Sequence, residues 1–330
     1  MKQNERKGPV WNTWLKWTGL ALLGLFLVVV TLPYLFPVDA AEDVRTLEPF
    51  DDSEFHEVDG VWLHYRISEP EERLRDPVVF IHGLGGSTYS WRHQVETLTD
   101  AGFPVIRVDL PVFGFSDRER GLEHSMENRS TWLWGLMDEL AVERAHLAGH
   151  SMGGGVMTQM VYDQPGRVAS LTYVAGAVYN DPPGPRSLSF PPLQRAVEAF
   201  GPRIAVTEER IGGLLDSAYG QPVSQEVLDA YMDTFEVPGT AGAWVDLLTT
   251  SGAVDHERLD EIEAPALLVW GEGDSWVSPD EGERLLQDLN DANMVMIDGS
   301  GHMPMETDAE WFNEVLLKFY DRLEEEAETP

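Results

Sequence analysis

Residues 145–162 read AHLAGHSMGGGVMTQMVY, a predicted buried strand that turns directly into a predicted helix. The pentapeptide GHSMG at 149–153 leaves no room for a loop between them, so Ser151 must occupy a tight and strained bend. Side chains two positions before and after the bend would collide, and glycine at both positions removes the collision. We therefore expect the Ser151 hydroxyl to project from the carboxyl edge of a sheet, where open α/β folds bind their ligands.

Short apolar runs alternate with helical patterns on both sides of this segment. A hairpin is predicted over Phe55–Ile67, with its turn at Asp59-Gly60. The other predicted strands are Pro77–Ile81, Pro104–Leu110, Ser170–Ala175, Ala266–Trp270 and Met294–Ile297, and the predicted helices are Ser87–Ala101, Ser125–Leu140, 279–289 and a last one from about residue 308. This alternation predicts an α/β fold, with a mostly parallel sheet covered by helices on both faces.

Residues 178–258 interrupt the alternation. Five prolines come first, and amphipathic helical patterns without a buried strand follow them (Pro182, Pro183, Pro185, Pro191, Pro192). We interpret this block as a set of helices inserted over an otherwise continuous sheet. The predicted organisation is therefore an N-terminal membrane segment at 1–38, a first part of the core at 39–177, a helical cap at 178–258 and a second part of the core at 259–330.

The N-terminal segment is apolar enough to cross a bilayer. The 22 residues between Lys16 and Asp39 carry no charge, and about 20 apolar residues span the hydrocarbon core as a helix. Basic residues precede this run and acidic residues follow it, so the positive-inside rule places the N-terminus in the cytoplasm and the remaining chain in the periplasm or outside the cell. The alternative is a signal peptide cleaved near Val38-Asp39-Ala40, which would release a secreted protein.

Composition excludes several classes of function. The chain has 330 residues, no cysteine, 57 acidic and 23 basic side chains, and a formal charge of −34. Disulfides, thiolate metal sites and a cysteine nucleophile are therefore excluded. The acidic excess argues against nucleic acid as a partner, because phosphate binding needs a basic surface. Composition does not determine the oligomeric state.

A serine hydroxyl is a weak nucleophile and needs a base. The histidines that follow Ser151 are His256 and His302, and His302 comes directly after the last predicted strand, at the same carboxyl edge. His256 precedes a charged stretch and is predicted to be a solvated surface residue. Asp274 follows the strand ALLVW and is predicted to orient the base, with Glu272 as the fallback.

A serine nucleophile also needs hydrogen-bond donors for the oxyanion that forms when it attacks a carbonyl group. The segment HGLGGS at 82–87 follows the first buried strand, and its glycines let backbone N–H groups approach a ligand. We expect the backbone N–H groups of Leu84 and Met152 to be the donors. Nucleotide binding is disfavoured because the segment has neither G-x-G-x-x-G nor a following Lys-Ser/Thr pair. We expect no cofactor. We also expect no metal site, because His146 and His150 could face one another only on a helix and they lie on a predicted strand.

Five motifs occur in a fixed order along residues 50–322: HGLGGS, DLPVFGFSD, GHSMGGG, WGEGD and GSGHMP. In this order they resemble those of the α/β-hydrolase family, which implies an eight-stranded, mostly parallel sheet with an inserted helical cap. The resemblance implies that Ser151 is the nucleophile, Asp274 the acid, His302 the base, and Leu84 and Met152 the oxyanion donors. Val112 departs from the pattern, because family members commonly have glycine there.

The resemblance implies a serine hydrolase that cleaves carboxylic esters through an acyl-enzyme. Serine at the bend disfavours dehalogenases and epoxide hydrolases, which use aspartate there. C–C hydrolases usually have proline and asparagine where this chain has Gly86 and His150. The alternatives that stay open are a C–C bond hydrolase, a haloperoxidase-like or perhydrolase-like enzyme of the same fold, and a binding protein without catalysis.

The cap and the N-terminal segment together indicate the substrate class. Several large apolar residues of the cap are candidates for an acyl pocket: Leu214, Leu215, Tyr219, Tyr231, Met232, Phe235 and Trp244. An apolar pocket next to a membrane anchor favours small-molecule esters with apolar or lipidic acyl groups. In this combination the chain resembles membrane-anchored esterases and acylglycerol lipases.

Overall fold

A computed structural model describes residues 10–47, 49–179 and 186–328 of the chain. One eight-stranded sheet organises it, in the order β1-β2-β4-β3-β5-β6-β7-β8. The strands are β1 (Glu54–Val58), β2 (Val61–Ser68), β3 (Val78–Ile81), β4 (Val105–Val108), β5 (Ala145–His150), β6 (Val168–Val174), β7 (Ala266–Gly271) and β8 (Ala292–Ile297). Among the predicted features, the basic residues Lys2, Arg6 and Lys7 and the prolines Pro182, Pro183 and Pro185 lie outside the described residues.

The sheet is mostly parallel, as predicted. β1 pairs antiparallel with β2, and β2 with β4, whereas all pairs from β4 to β8 are parallel. The predicted hairpin is confirmed, with Asp59 and Gly60 at φ 51° and 83° in its turn. Two residues with positive φ suit the right-handed twist of the strands that such a turn joins.

Helices cover both faces of the sheet. They are α1 (Val10–Thr31), α2 (Val95–Asp100), α3 (Met126–Glu139), α4 (Met152–Asp163), α5 (Pro191–Ala205), α6 (Glu208–Tyr219), α7 (Gln225–Phe235), α8 (Thr240–Thr250), α9 (Pro279–Asp288), α10 (Pro304–Thr307) and α11 (Ala309–Glu328). On one face Leu147 of β5 belongs to an apolar cluster with Leu133 of α3 and Val156 of α4. On the other face Ala148 belongs to a cluster with Phe312 of α11. β5 is therefore apolar on both sides, as a strand buried between two helical layers must be.

The predicted helix over Ser87–Ala101 is wrong in its first half. A 3₁₀ turn at Thr88–Trp91 comes first, and α2 begins only at Val95. The Asp109 carboxylate accepts the Thr88 N–H at 2.6 Å, and the Ser87 hydroxyl accepts the Tyr89 N–H at 3.2 Å. Because side chains bond these N–H groups, the backbone is held in a tight turn rather than in a continuous helix.

Val112 shows why glycine suits its position. Its φ is 82°, in the left-handed region that a β-branched residue rarely occupies, and its side chain is buried. The Val112 N–H is bonded to the carbonyl of Asp117 at 2.9 Å, which closes the loop after β4. The loop therefore keeps its shape at the cost of backbone strain.

The inserted helices α5–α8 lie between β6 and β7, and we call them the cap. No strand occurs in the part of 186–258 that the structure describes. Of the described helices, one segment, Trp14–Leu35, is long and apolar enough to cross a membrane. Beyond it, the Phe36 ring meets the Phe200 ring of α5 with centroids 4.8 Å apart, so the chain that leaves α1 packs directly on the cap.

Candidate active site

Ser151 lies at the junction of β5 and α4 with φ 48° and ψ −118°. This conformation is strained for a residue with a Cβ atom, and it persists because the surrounding backbone holds it. The Ser151 N–H is bonded to the carbonyl of Val174 at 3.0 Å, and the Ser151 carbonyl accepts the N–H groups of Gly154 and Ala177, each at 2.9 Å. The bend is therefore fixed by the neighbouring strand β6 as well as by its own helix.

The flanking glycines are needed for the steric reason that the sequence predicts. A Cβ atom at Gly149 would lie 2.4 Å from the carbonyl oxygen of Gly153, and one at Gly153 would lie 2.4 Å from that of Ile81. Both contacts are with backbone atoms, which cannot move aside. A side chain at either position would break the close packing of β3, β5 and α4.

His302 and Asp274 form a buried pair at the same edge of the sheet. The His302 Nδ1 atom lies 2.8 Å from Asp274 Oδ2. The other carboxylate oxygen, Oδ1, accepts the N–H groups of Trp276 at 2.8 Å and Val277 at 3.0 Å. Asp274 is thus held rigidly with both oxygens bonded, whereas Glu272, the fallback, is exposed.

His150 connects this pair to Ser151. The rings of His150 and His302 lie with centroids 4.6 Å apart, and His150 Nε2 lies 2.9 Å from the carbonyl oxygen of His302. Burial lowers the pKa of His150 well below its ordinary value, so its ring is neutral and donates from Nε2. Ser151 follows His150 directly in the chain, which brings the serine beside the His302 loop.

The Ser151 hydroxyl and the His302 ring are not hydrogen-bonded to each other in the described structure. Catalytic hydrogen bonds are often long in the absence of substrate and shorten when it binds. The structure therefore brings Asp274 and His302 into contact, and Ser151 is linked to them through its neighbour His150, without a hydrogen bond from the serine to His302.

The two expected oxyanion donors are free. Within the described residues, neither the Leu84 N–H nor the Met152 N–H is hydrogen-bonded. Met152 is the first residue of α4, whose N-terminus carries partial positive charge beneath Ser151. The loop that contains Leu84 is packed against the bend, since a Cβ atom at Gly83 would lie 2.9 Å from the Cβ of Ser151. Both N–H groups thus belong to segments that border Ser151.

The cap contacts the His302 loop directly. The His302 N–H is bonded to the carbonyl of Ala218 at the end of α6, at 2.7 Å. Trp276 stacks on the His302 ring with centroids 5.7 Å apart and an interplanar angle of 14°. Its indole Nε1 donates to Ser217 Oγ at 3.2 Å. The sequence analysis missed Trp276, although its place two residues after Asp274 could have pointed to it.

Two of the predicted pocket residues have a polar role instead. Tyr219 and Tyr231 donate their hydroxyls to the buried carboxylate of Glu306, at 2.5 and 2.7 Å, and Arg92 pairs with the same carboxylate. This network joins α6 and α7 to the segment that follows His302. Leu214 is about half exposed and lies outside the packed interior.

The remaining candidates are apolar contacts of the cap. Phe235 and Trp244 stack with centroids 6.0 Å apart, and Trp244 packs edge-on against Phe113 of the core at 5.6 Å. Leu215 is buried in the apolar cluster that contains Ala148 and Phe312, and Met232 is partly buried against that cluster. His256, the other histidine after Ser151, lies in a 3₁₀ turn and packs against Tyr179 at 5.4 Å.

Known proteins are similar to this chain in sequence. The uncharacterized hydrolase YugF of Bacillus subtilis is 26% identical over 266 residues, covering 79% of this chain and 95% of that protein. A 2-hydroxy-6-oxononadienedioate/2-hydroxy-6-oxononatrienedioate hydrolase of Paraburkholderia phymatum is 29% identical over 254 residues, covering 74% of this chain and 87% of that protein.

A solved structure is also similar. The crystal structure of a membrane phospholipase A, described as a bacterial virulence factor, superposes with a TM-score of 0.68 at 23% identity. The match covers 95% of this chain and 99% of the other, and at this identity it shows a shared fold.

The model of the alpha/beta hydrolase family matches residues 78–315, which include the bend at Ser151, Asp274 and His302. The match extends over most of the chain and includes the whole sheet from β3 to β8. The chain therefore belongs to the alpha/beta hydrolase family.

Proposed function

We propose that this hydrolase cleaves carboxylic esters through an acyl-enzyme formed on Ser151. One observation carries the proposal: Ser151 occupies a strained bend between two segments whose N–H groups, those of Leu84 and Met152, have no partner among the described residues. Such groups suit an oxyanion, because hydrogen-bond donors fixed in advance need no rearrangement when charge develops. The buried pair of His302 and Asp274 supplies a base and a group that orients it.

The reaction then follows from these positions. Ser151 Oγ attacks the acyl carbon while His302 Nε2 takes its proton, and the carbonyl oxygen becomes an oxyanion bonded to the two N–H groups. His302 next gives that proton to the leaving alcohol, which leaves an ester on Ser151. Water, deprotonated by His302, releases the acid and restores the serine. Asp274 keeps the imidazole in one tautomer and stabilises its charged form.

The proposed substrates carry apolar or lipidic acyl groups. We infer that α1 is a retained membrane anchor with a cytoplasmic N-terminus and that the hydrolase domain lies in the periplasm or outside the cell. Support comes from the contact of Phe36 with Phe200 and from the bond of Arg195 to the Phe36 carbonyl at 2.6 Å, which hold α5 beside the end of the anchor. Leu193 and Ile204 of α5 are exposed there, so an apolar part of the cap would face the bilayer.

A panel of p-nitrophenyl esters from acetate to laurate tests the reaction and the substrate class. We expect turnover that is abolished in Ser151→Ala and that is maintained or rises as the acyl chain lengthens. Turnover that falls steadily beyond short acyl chains would refute lipidic substrates while leaving ester hydrolysis intact. A fluorophosphonate probe should label Ser151, and a folded protein that takes no label would instead favour a binding role without catalysis.

C–C bond hydrolysis is the second candidate, because curated relatives of this chain include hydrolases of 2-hydroxy-6-oxo dienedioates. The same serine and histidine would serve either reaction. A direct comparison of kcat/KM for a 2-hydroxy-6-oxo-dienoate and for a p-nitrophenyl ester decides between the two. A large preference for the dienoate would replace our proposal with the second candidate.

The anchor is tested separately. The intact mass of the protein recovered from membranes should include residues 1–38, and an alkaline wash should leave the protein in the membrane fraction. An N-terminus that begins near Ala40 would instead show signal cleavage and a secreted hydrolase.

A further inference from the structure

Arg129 is a buried cation beside the proposed oxyanion hole. It lies in the first turn of α3 with 1% of its surface exposed, and its Nη1 atom contacts Met152 Sδ at 2.9 Å. Met152 provides one of the two free N–H groups next to Ser151. The guanidinium is therefore separated from the oxyanion donor by the length of a single side chain.

The other loop of the proposed hole is held by a neutral histidine. His82 begins that loop, and its ring bonds the Gly83 carbonyl through Nδ1 at 2.7 Å and the Leu110 N–H through Nε2 at 3.0 Å, so the ring is neutral. Burial is the main cause that lowers the pKa of His82; the Asp109 charge opposes it, and the charges of Arg129 and Arg118 add to it. Because His82 is neutral, it supplies no positive charge beside the expected oxyanion.

The charge of Arg129 is not compensated. No carboxylate pairs with it among the described residues, and its Nη2 atom is buried without a hydrogen-bond partner. His124, its buried neighbour, is neutral, because burial lowers its pKa to about 3. Burial lowers the pKa of Arg129 itself to about 10, so it keeps its proton at neutral pH.

Among the described residues, the other two buried arginines both have oxygen partners, which Arg129 lacks. Arg118 donates to five oxygen atoms, four of them backbone carbonyls, and Arg107 contacts Asp52 and Ser68 at 3.5 Å, although its Nε atom has no partner. An unpaired buried guanidinium is costly to the folded state, and this chain has 57 acidic side chains from which a partner could come.

We propose that Arg129 is a positioning residue of the reaction, whose charge stabilises the oxyanion that forms beside Met152 and whose contact fixes the Met152 side chain. The inference rests on the proposed acyl-enzyme mechanism. A fixed positive charge in a site of low dielectric attracts developing negative charge without first having to reorient. Since Arg129 acts through Met152 and at a distance, it contributes mainly to the transition state and little to binding of a neutral ester.

Arg129→Met tests the proposal, because it removes the charge and keeps an unbranched side chain of similar length. We expect kcat for a neutral ester to fall roughly ten- to thirtyfold with KM nearly unchanged, as for the loss of one unit charge several ångströms away. The affinity for phenylboronic acid, which forms a tetrahedral anion on the serine, should fall by a similar factor. Arg129→Lys should restore part of both losses.

Arg107→Met is the matched control. Arg107 is equally buried and burial lowers its pKa to about 10, but it lies on β4 near Asp52. Its replacement should leave kcat and boronate affinity unchanged. Melting temperatures of all variants show whether a loss of activity comes from a loss of folding. If Arg129 had only a structural role, Arg129→Met would keep full activity, and its melting temperature would be unchanged or higher.

Two results would overturn the inference. One is a folded Arg129→Met protein with unchanged kcat and boronate affinity. The other is a rise in KM with unchanged kcat, which would mean that Arg129 contacts the substrate in its ground state. In both cases Ser151→Ala still abolishes turnover, so the proposed function stands. Absence of esterase activity and of boronate binding in the wild-type protein would refute the proposed function and this inference with it.

Discussion

Among the described residues, two histidines combine an aspartate partner on Nδ1 with a serine nearby, and the histidine–aspartate distances are nearly the same. In the first, Asp109 Oδ2 lies 2.7 Å from His64 Nδ1, and His64 Nε2 lies 2.9 Å from Ser53 Oγ. In the second, Asp274 lies 2.8 Å from His302, and Ser151 lies beside the pair without a hydrogen bond to it. By hydrogen-bond distances alone, the first arrangement is the more complete of the two.

The surroundings differ in every respect that nucleophilic catalysis requires. Ser53 accepts the Phe50 N–H at 3.1 Å, and the His64 ring is packed between Phe50, Phe55 and Phe115. The Ser53 backbone lies outside the left-handed region, whereas Ser151 is strained, stands at a helix N-terminus and borders two free N–H groups. Donors for an oxyanion and a serine raised from the sheet distinguish a reactive site from a structural one.

The largest expected difference is between the two serines. Ser151→Ala should lower kcat by about a millionfold, because loss of the nucleophile disables the whole set of catalytic residues. Ser53→Ala should leave kcat within a fewfold of the wild type. Ester turnover measures both, and peptide mapping after fluorophosphonate treatment should find the label on Ser151. A label on Ser53 would contradict the assignment of Ser151 as the nucleophile.

The two aspartates provide the next test. Asp274→Asn should lower kcat on the order of ten-thousandfold, since the amide holds the imidazole in the wrong tautomer. Asp109→Asn should lower the melting temperature and leave the kcat of the folded protein nearly unchanged. Steady-state kinetics with melting curves checks both variants, and equal kinetic losses in the two would contradict the assignment of roles.

A smaller effect concerns stability. Ser53→Ala leaves the buried Nε2 atom of His64 without a partner, which costs about 1–3 kcal/mol of unfolding free energy. Urea unfolding should show this loss, and Ser53→Thr, which keeps the hydroxyl, should recover most of it. Identical unfolding of the alanine variant and the wild type would mean that the bond contributes nothing.

The smallest expected effect is the pH dependence of the structural pair. Burial alone would raise the pKa of Asp109, but His64 and the N–H donors around the carboxylate outweigh burial and hold the pKa below its ordinary value of 3.8. A lowered carboxyl pKa stabilises the folded state above the unfolded pKa, and the stabilisation is lost as pH falls through the folded pKa. The difference in melting temperature between wild type and Asp109→Asn should therefore shrink below about pH 4. A difference that is constant from pH 7 to 3 would contradict this reasoning.

Local patterns in the sequence were sufficient for the fold and for the bend. The strand at 145–150, the helix that follows it and the glycines at 149 and 153 could be predicted because each depends on neighbours within a few residues. The predicted helix at Ser87–Ala101 failed in its first half because the Asp109 carboxylate, distant in sequence, bonds the Thr88 N–H. Tyr219 and Tyr231 were predicted as apolar lining, since nothing near them in sequence indicates their bonds to Glu306.

Short-range features of the chain are enough to specify an alternating α/β fold, an apolar N-terminal helix and a serine on a bend that only glycines permit, because periodicity and steric exclusion act over short distances. Only the packing of distant segments shows that Ser53, His64 and Asp109 meet without Ser151, that the cap bonds the His302 loop at Ala218, and that Arg129 lies unpaired beside Met152. Burial and pairing of charges depend on which segments pack together, and that is a property of the folded chain as a whole.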